Sequence, residues 1–388
     1  VPIPTPGPVV AGAGTMVGIV RVLPGTVPAD SIYEDPEFED QLPKQSVAEA
    51  GLGRAVAQAN STAFFAHERA IAEASPAGVA LFGKLPQLPV GVAQAALPDR
   101  PEPVSTRIQP PSSPADQLVR LSGLEGTAHA RWDRYAGPCV SPIADARYSL
   151  GSASAGTALP GRPLDGGPLL QVPGTAQAHS SVRLVDVPGQ ATEAVRSTSD
   201  LSLAGVRLFA GTPHEVAVDV VGTPRLTATA TGDPATSTVE HEAPVLRVSR
   251  GGQEIGVLDP AHPRLDVPLP ALDAGVLRLA LGELEQHVAG TEVRAQARLF
   301  DLQVLRGHAV GLPTSLVQAS FGEQAVQASA PEGGVDCTTA PAPAALAAAP
   351  PTTPLPPSSS GVDPALWTSA ALLLLGGTLA VLSRRQPV

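Results

Sequence analysis

From Thr291 to Leu305 the chain reads TEVRAQARLFDLQVL, with Val293, Ala295, Ala297 and Leu299 alternating against Arg294, Gln296 and Arg298. A period of two suits a strand with one face on a core and does not suit a helix. At Phe300 the phase slips by one, and Phe300, Leu302 and Val304 carry the inward face onward. A β-bulge is the expected cause. Residues 316–330 (LVQASFGEQAVQASA) alternate in the same way around a bend at Gly322.

Comparable runs recur at 118–130, 144–158, 182–187, 201–209, 215–221, 225–231, 245–250, 253–258 and 276–281, and residues 12–23 open the chain with another. In 225–231, Leu226, Ala228 and Ala230 oppose Arg225, Thr227, Thr229 and Thr231, which predicts a half-buried antiparallel strand. Arg250-Gly251-Gly252-Gln253 predicts a tight hairpin. Residues 46–82 admit two readings. Ser46-Val47-Ala48-Glu49 fits a helix capping box, while Gly51, Gly53 and the lack of a 3.6-residue period favour strands of small residues. Prolines crowd residues 84–114, which leaves room for a linker or an extended segment on the body, not for a helix or central strand.

The fold class expected is therefore mainly β: an antiparallel β-sandwich-like body over 116–337, preceded by a Pro-rich, β-leaning region over 1–115. With 43% apolar but only 3% aromatic residues, its core must be built from Ala, Val and Leu. A net charge of −11, without any Lys/Arg cluster interleaved with aromatics, argues against nucleic acid as a partner.

After Cys337 the composition changes. Residues 338–364 are a Pro/Ala/Ser/Thr tract that cannot assemble a core and reads as a disordered stalk. Residues 365–383 then run without a charge, through Ala365, Leu366, Trp367, Leu372, Leu375, Leu379 and Leu382, and Arg384 and Arg385 follow in a basic tail over 384–388. Nineteen apolar helical residues suffice to cross a bilayer core, and basic residues stay on the cytoplasmic side. The expectation is one C-terminal transmembrane helix with the body outside. The chain begins at Val1, consistent with a secretory signal peptide already removed.

This layout resembles a Gram-positive cell-wall sorting signal, with Leu355-Pro356-Pro357-Ser358-Ser359 in the place of its LPxTG-type motif. Ser359 stands where the transpeptidase of that system requires glycine, so retention as a membrane anchor is expected over covalent attachment to the wall.

Two cysteines, Cys139 and Cys337, both in the displayed body, predict one disulfide in an oxidising compartment, against the alternative of two free thiols. Asp30, Glu34, Asp35, Glu37, Glu39 and Asp40 form an acidic stretch. Clustered carboxylates attract calcium, but the spacing of a defined calcium loop is missing, so a solvated acidic loop is the main expectation and a metal site the weaker one. Eight histidines are scattered without a metal-binding or catalytic spacing, and Glu240-His241-Glu242 reads as an exposed charged strand. No nucleophile elbow, phosphate loop or dinucleotide fingerprint occurs, and no cofactor is expected.

The runs LVRLSGLEGTAHARW, GPCVSPIADARYSLGSASAGTAL and LVQASFGEQAVQASAPEGGVDC, ahead of a Pro-rich stalk, resemble actinobacterial cell-surface proteins with C-terminal anchors. The resemblance covers roughly residues 115–388. It implies a β body ending at a cysteine, a paired second cysteine and a high-GC Gram-positive source, and carries no activity. The function expected is a membrane-anchored extracellular protein of structural, adhesion or interaction type, with cell-envelope glycan or another surface protein as partner. An envelope hydrolase tethered to its substrate and a calcium-dependent adhesin are the alternatives.

Overall fold

The computed structural model describes residues 7–25, 46–75, 79–81, 91–110, 112, 116, 119–156, 167–269, 275–306 and 314–338. Among them the chain forms two antiparallel sheets and visits them in a simple order. It begins in sheet one with β1 (Val10–Val22), β2 (Ala48–Gly51), β3 (Arg54–Asn60), β4 (Ala70–Ser75), β5 (Val79–Leu81) and β6 (Val92–Ala95).

It crosses to sheet two for twelve strands. These are β7 (Val104–Ile108), β8 (Val119–Ala130), β9 (Ala144–Ala155), β10 (Leu170–Val172), β11 (Ala176–Asp186) and β12 (Glu193–Ser202), then β13 (Gly205–Leu208), β14 (Val216–Val221), β15 (Arg225–Ala230), β16 (Thr238–Glu242), β17 (Val245–Arg250) and β18 (Gln253–Leu258). It returns to sheet one with β19 (Arg264–Leu269), β20 (Gly275–Leu281), β21 (Leu284–Ala289), β22 (Glu292–Arg306) and β23 (Thr314–Ser329).

The prolines of 84–114 coincide with this first crossing. β6 and β7 are edge strands, the position that proline tolerates. Ala48–Gly51 form β2, so the Ser46–Glu49 stretch is not a helix start. Sheet one draws strands from both sides of residue 115, because β1 pairs with β23 along most of its length.

Most strands are one half of a longer pass. β2 and β3 lie end to end beside β1, β20 and β21 beside β22, and β10 and β11 beside β9. In sheet two, β13 and β12, β14 and β15, and β17 and β16 continue the same division. The breaks fall on one line across each sheet, and the line corrects the expected bulge in β22. Arg298 pairs with Glu323 and Phe300 with Phe321, so each strand spends one residue, Leu299 or Gly322, on the slip. β1 does the same, with Met16 on Glu323 and Gly18 on Phe321. Three adjacent strands thus change phase together in register, and no extra residue is inserted. A true register shift between β22 and β23 comes only between Val304 and Leu305. Gly322 makes the shared slip feasible: its φ is +67°, and a Cβ there would sit 2.5 Å from Leu299 Cβ and 2.6 Å from Leu201 Cδ2.

The line divides the sandwich into two lobes with different cores. In the alanine lobe the facing residues are small: Ala11, Ala13, Ala55, Ala57, Ala59, Ala72, Ala146, Ala178, Ala228 and Ala328 are all buried. Here hydroxyls of one sheet reach the main chain of the other. Thr15 Oγ1 donates to the His179 carbonyl at 2.9 Å, Ser180 Oγ to that of Ala55 at 3.0 Å and Ser197 Oγ to that of Gln327 at 2.6 Å. A serine can do this only if the sheets lie closer than the usual ~10 Å. In the leucine lobe Leu208, Leu246, Leu258, Leu277, Phe300 and Phe321 fill a thicker interior, and the two phenylalanine rings stack at 4.9 Å.

The strand β15 departs from the half-buried expectation. Thr227 and Thr229 are buried as well as Leu226, Ala228 and Ala230. Neighbouring side chains cover its outer face, with Arg196 Nε donating to Thr229 Oγ1 at 3.1 Å. The predicted Gly-Gly hairpin between β17 and β18 is present, with positive φ at both Gly251 and Gly252.

Candidate functional site

The outer face of sheet two carries a ladder of side chains at one level, one from each successive strand. Arg147 on β9 stands opposite His179 on β11, His179 opposite Asp200 on β12, Asp200 opposite Arg225 on β15 and Arg225 opposite Glu242 on β16. From His179 onward the charges alternate, which stabilises the row across strands, while Arg147 beside His179 works against the imidazolium. Its centre lines an open depression of about 400 Å³, together with Glu125 and Gln177.

His179 organises this ladder. Its Nε2 lies 2.8 Å from Asp145 Oδ2 and its Nδ1 3.3 Å from Asp200 Oδ2, and Asp200 also accepts from Arg225. Burial of the ring works against the imidazolium, but hydrogen bonds to Asp145 and then Asp200 outweigh it, so the pKa of His179 is raised. Burial likewise pushes Asp145 and Asp200 upward, and it takes the hydrogen bond to His179 together with the nearby positive charges, Arg147 beside Asp145 and the bonded Arg225 beside Asp200, to reverse this and leave both lowered. The cluster favours a protonated histidine held between two carboxylates.

Both ring nitrogens are thereby engaged. Ser149 and Ser202 also line the depression, but a histidine acting as general base toward a serine needs one nitrogen on the hydroxyl. His179 must release a carboxylate first. The two carboxylates approach opposite sides of the ring and do not converge on a common point, and among the described residues no group of His, Cys, Asp and Glu is placed to hold a metal ion.

A second open depression, of about 590 Å³, lies on the outer face of sheet one over Gly12, Gly14 and Ala325, with Gln58, Gln296 and Gln327 around it. Glu240 and Glu242 are both exposed on one face of β16 while His241 points the other way, where burial lowers its pKa.

The predicted disulfide is present. Cys139 and Cys337 are bonded, with Cα atoms 5.7 Å apart, across a sequence separation of 198. It ties the β8–β9 loop to the segment following β23, where the Glu193 and Val335 main chains also exchange hydrogen bonds. The acidic residues Asp30, Glu34, Asp35, Glu37, Glu39 and Asp40 lie outside the described residues, as do Leu355, Pro356, Pro357, Ser358 and Ser359. So do the stalk, the apolar stretch over 365–383 and the arginines at 384 and 385. Among the described residues no helix is long and apolar enough to cross a membrane. Sequence reasoning missed the His179 cluster, whose members are brought together by pairing between strands and not by spacing along the chain.

No family model matches the chain, and no curated protein matches it either.

Proposed function

We propose that this chain is an extracellular surface protein of structural, adhesion or interaction type, held in the cell membrane by residues 365–383 with its body outside. The observation that carries the reading is the Cys139–Cys337 disulfide, a bond that persists in oxidising compartments. It sits where the β body gives way to a Pro/Ala/Ser/Thr tract, so the body is fastened at the point from which a stalk departs. The likeness of layout to actinobacterial anchored surface proteins supports the same reading, and cell-envelope glycan or a second surface protein is the partner class that fits it. Ser359 in the sorting-like motif favours retention in the membrane over transfer to the wall.

Fractionation of the source cells tests this, with the full chain compared against one lacking its last 25 residues. The full chain should sediment with membranes and be digested by protease added to intact cells, and the shortened chain should appear in the medium. A native protein found in the cytoplasm with both thiols reduced would refute the proposal.

A tethered envelope hydrolase is the second reading. The depression around His179, with Ser149 and Ser202 on its wall, is the observation in its favour. Release of soluble fragments from purified envelope, lost in His179→Ala, would establish it.

A further inference from the structure

Both described ends of the body lie at one pole of the alanine lobe. Val9 exchanges hydrogen bonds with Ser61 in the β3–β4 loop, and a Cβ on Gly7 would meet Pro331 just after β23. The same pole carries the Cys139–Cys337 disulfide, beyond which the chain leads to its apolar stretch.

This pole also carries the exposed aromatic side chains of the described body. Phe64 is 89% exposed and Phe65 52%, both in the β3–β4 loop, and Tyr135 is 54% exposed in the β8–β9 loop. Phe209, Phe300 and Phe321 are fully buried by contrast. The two loops are linked through β6: Ala96 donates to the His67 carbonyl at 3.0 Å, and Gln94 Oε1 accepts from Ala130 N at 3.0 Å. In a chain with so few aromatics, two adjacent phenylalanines left in solvent at a loop tip are the informative exception.

The loop is built to present them. Thr62 N and Oγ1 both bond Asn60 Oδ1, Ala63 N bonds the Asn60 carbonyl, and Glu68 N closes a 3₁₀ turn on Phe65. Phe65 stacks on His67 at 5.6 Å. The loop backbone and the Phe65 ring are therefore held in place before any partner arrives, which lowers the entropic cost of binding.

We propose that this pole faces the membrane and that Phe64 and Phe65 enter the interfacial layer of the lipid bilayer, giving the body a second contact besides its anchor. The inference rests on the anchored reading above. Three observations favour lipid as the occupant. The tract over 338–364 leaves from this pole and cannot span more than about 97 Å at the roughly 3.6 Å per residue of a fully extended chain, so the body stays tethered within reach of the bilayer. Phe64 and Phe65 meet edge to face at 86°, which makes a wedge that can enter an apolar layer and not the flat platform on which a sugar ring stacks. The acidic stretch over 30–40 leaves and rejoins the described body at Gly25 and Ser46, at the opposite pole. An anionic bilayer repels these carboxylates least when the point from which they depart faces away from it.

The test uses the full chain reconstituted into vesicles of phosphatidylcholine and phosphatidylglycerol, with a nitroxide on Phe64→Cys or, as control, on Gln253→Cys at the far pole. Both sites are exposed, and thermal melting checks that each variant is folded with its disulfide intact. The label at 64 should lose most of its relaxation by a water-soluble nickel complex and gain relaxation by oxygen on reconstitution, while the label at 253 keeps its aqueous values. With Phe65→Ser added, the label at 64 should move back toward the aqueous values. A chain that floats with carbonate-washed vesicles but keeps an aqueous label at 64 overturns this inference alone. A chain that does not float overturns the anchored reading with it. An aqueous label that becomes protected only when peptidoglycan fragments are added assigns the pole to glycan and also overturns it.

Discussion

Ser180 on β11 donates its hydroxyl to the carbonyl of Ala55 on β3, 3.0 Å away and in the opposite sheet. The bond exists because Ala55, Ala57 and Ala59 let the sheets close on each other, and it compensates for the little apolar surface that alanine buries. The leucine lobe is held by volume instead, through residues such as Leu277 and Phe300.

The two lobes should therefore respond oppositely to changes in size. Ala57→Leu forces the thin lobe apart and should cost about 3 kcal/mol or more. Leu277→Ala leaves a cavity in the thick lobe and should cost about 2–5 kcal/mol. Ser180→Val removes a donor from a buried carbonyl, for about 1–3 kcal/mol. Urea unfolding midpoints measure all three, and an unchanged midpoint for Ala57→Leu would refute the thin-lobe packing.

Gly322→Ala should destabilise by about 2–4 kcal/mol, since it combines a left-handed backbone with contacts to Leu299 and Leu201 well inside van der Waals distance. Gly14→Ala is the control. It lies on the outer face of β1 with nothing within 4 Å of an added Cβ, and should be neutral or stabilising by about 0.5 kcal/mol. Paired thermal melts of the two variants check the contrast.

The His179 cluster makes stability depend on pH. The folded pKa of His179 lies above 6.5, so its contribution is fully present below about pH 6.5 and is lost as pH rises through the raised value. Asp145 and Asp200 lie below 3.8, so theirs is present above that pH and is lost as pH falls through the lowered values. The three act together most fully between about pH 4 and 6.5. NMR titration of the His179 ring should give a midpoint above the ordinary value, and Asp145→Asn should bring it down. His179→Ala leaves two carboxylates facing each other and should flatten the pH dependence above pH 6.5 while costing about 1–3 kcal/mol at pH 5.

Cys139→Ser should remove about 2–5 kcal/mol, because the bond closes a loop across 198 residues. Melting with and without reductant should give the same difference in the parent chain and none in the variant.

Much of the fold was legible where one face is buried. The alternation in β22 and its slip at Leu299 and Phe300 follow from a strand that must keep apolar residues inward. What the alternation could not tell is that β1 and β23 slip at the same level, because register between strands far apart in sequence leaves no local mark. The outer burial of Thr229 was hidden for a similar reason: Arg196, which covers it, lies on another strand. The candidate site was least legible. Asp145, His179, Asp200 and Arg225 are ordinary polar positions on four strands, and only their cross-strand pairing makes them a cluster.

β1 and β23 are hydrogen-bonded neighbours, although among the described residues one is the first strand and the other the last. A protein made from its N-terminus onward cannot complete such a sheet while it is still emerging. Until residues 314–329 are delivered, β1 has an open edge that could accept a strand from another molecule. The seal and Cys337 arrive almost together, so closure of the sheet and formation of the disulfide with Cys139 become a single late event in the maturation of the body.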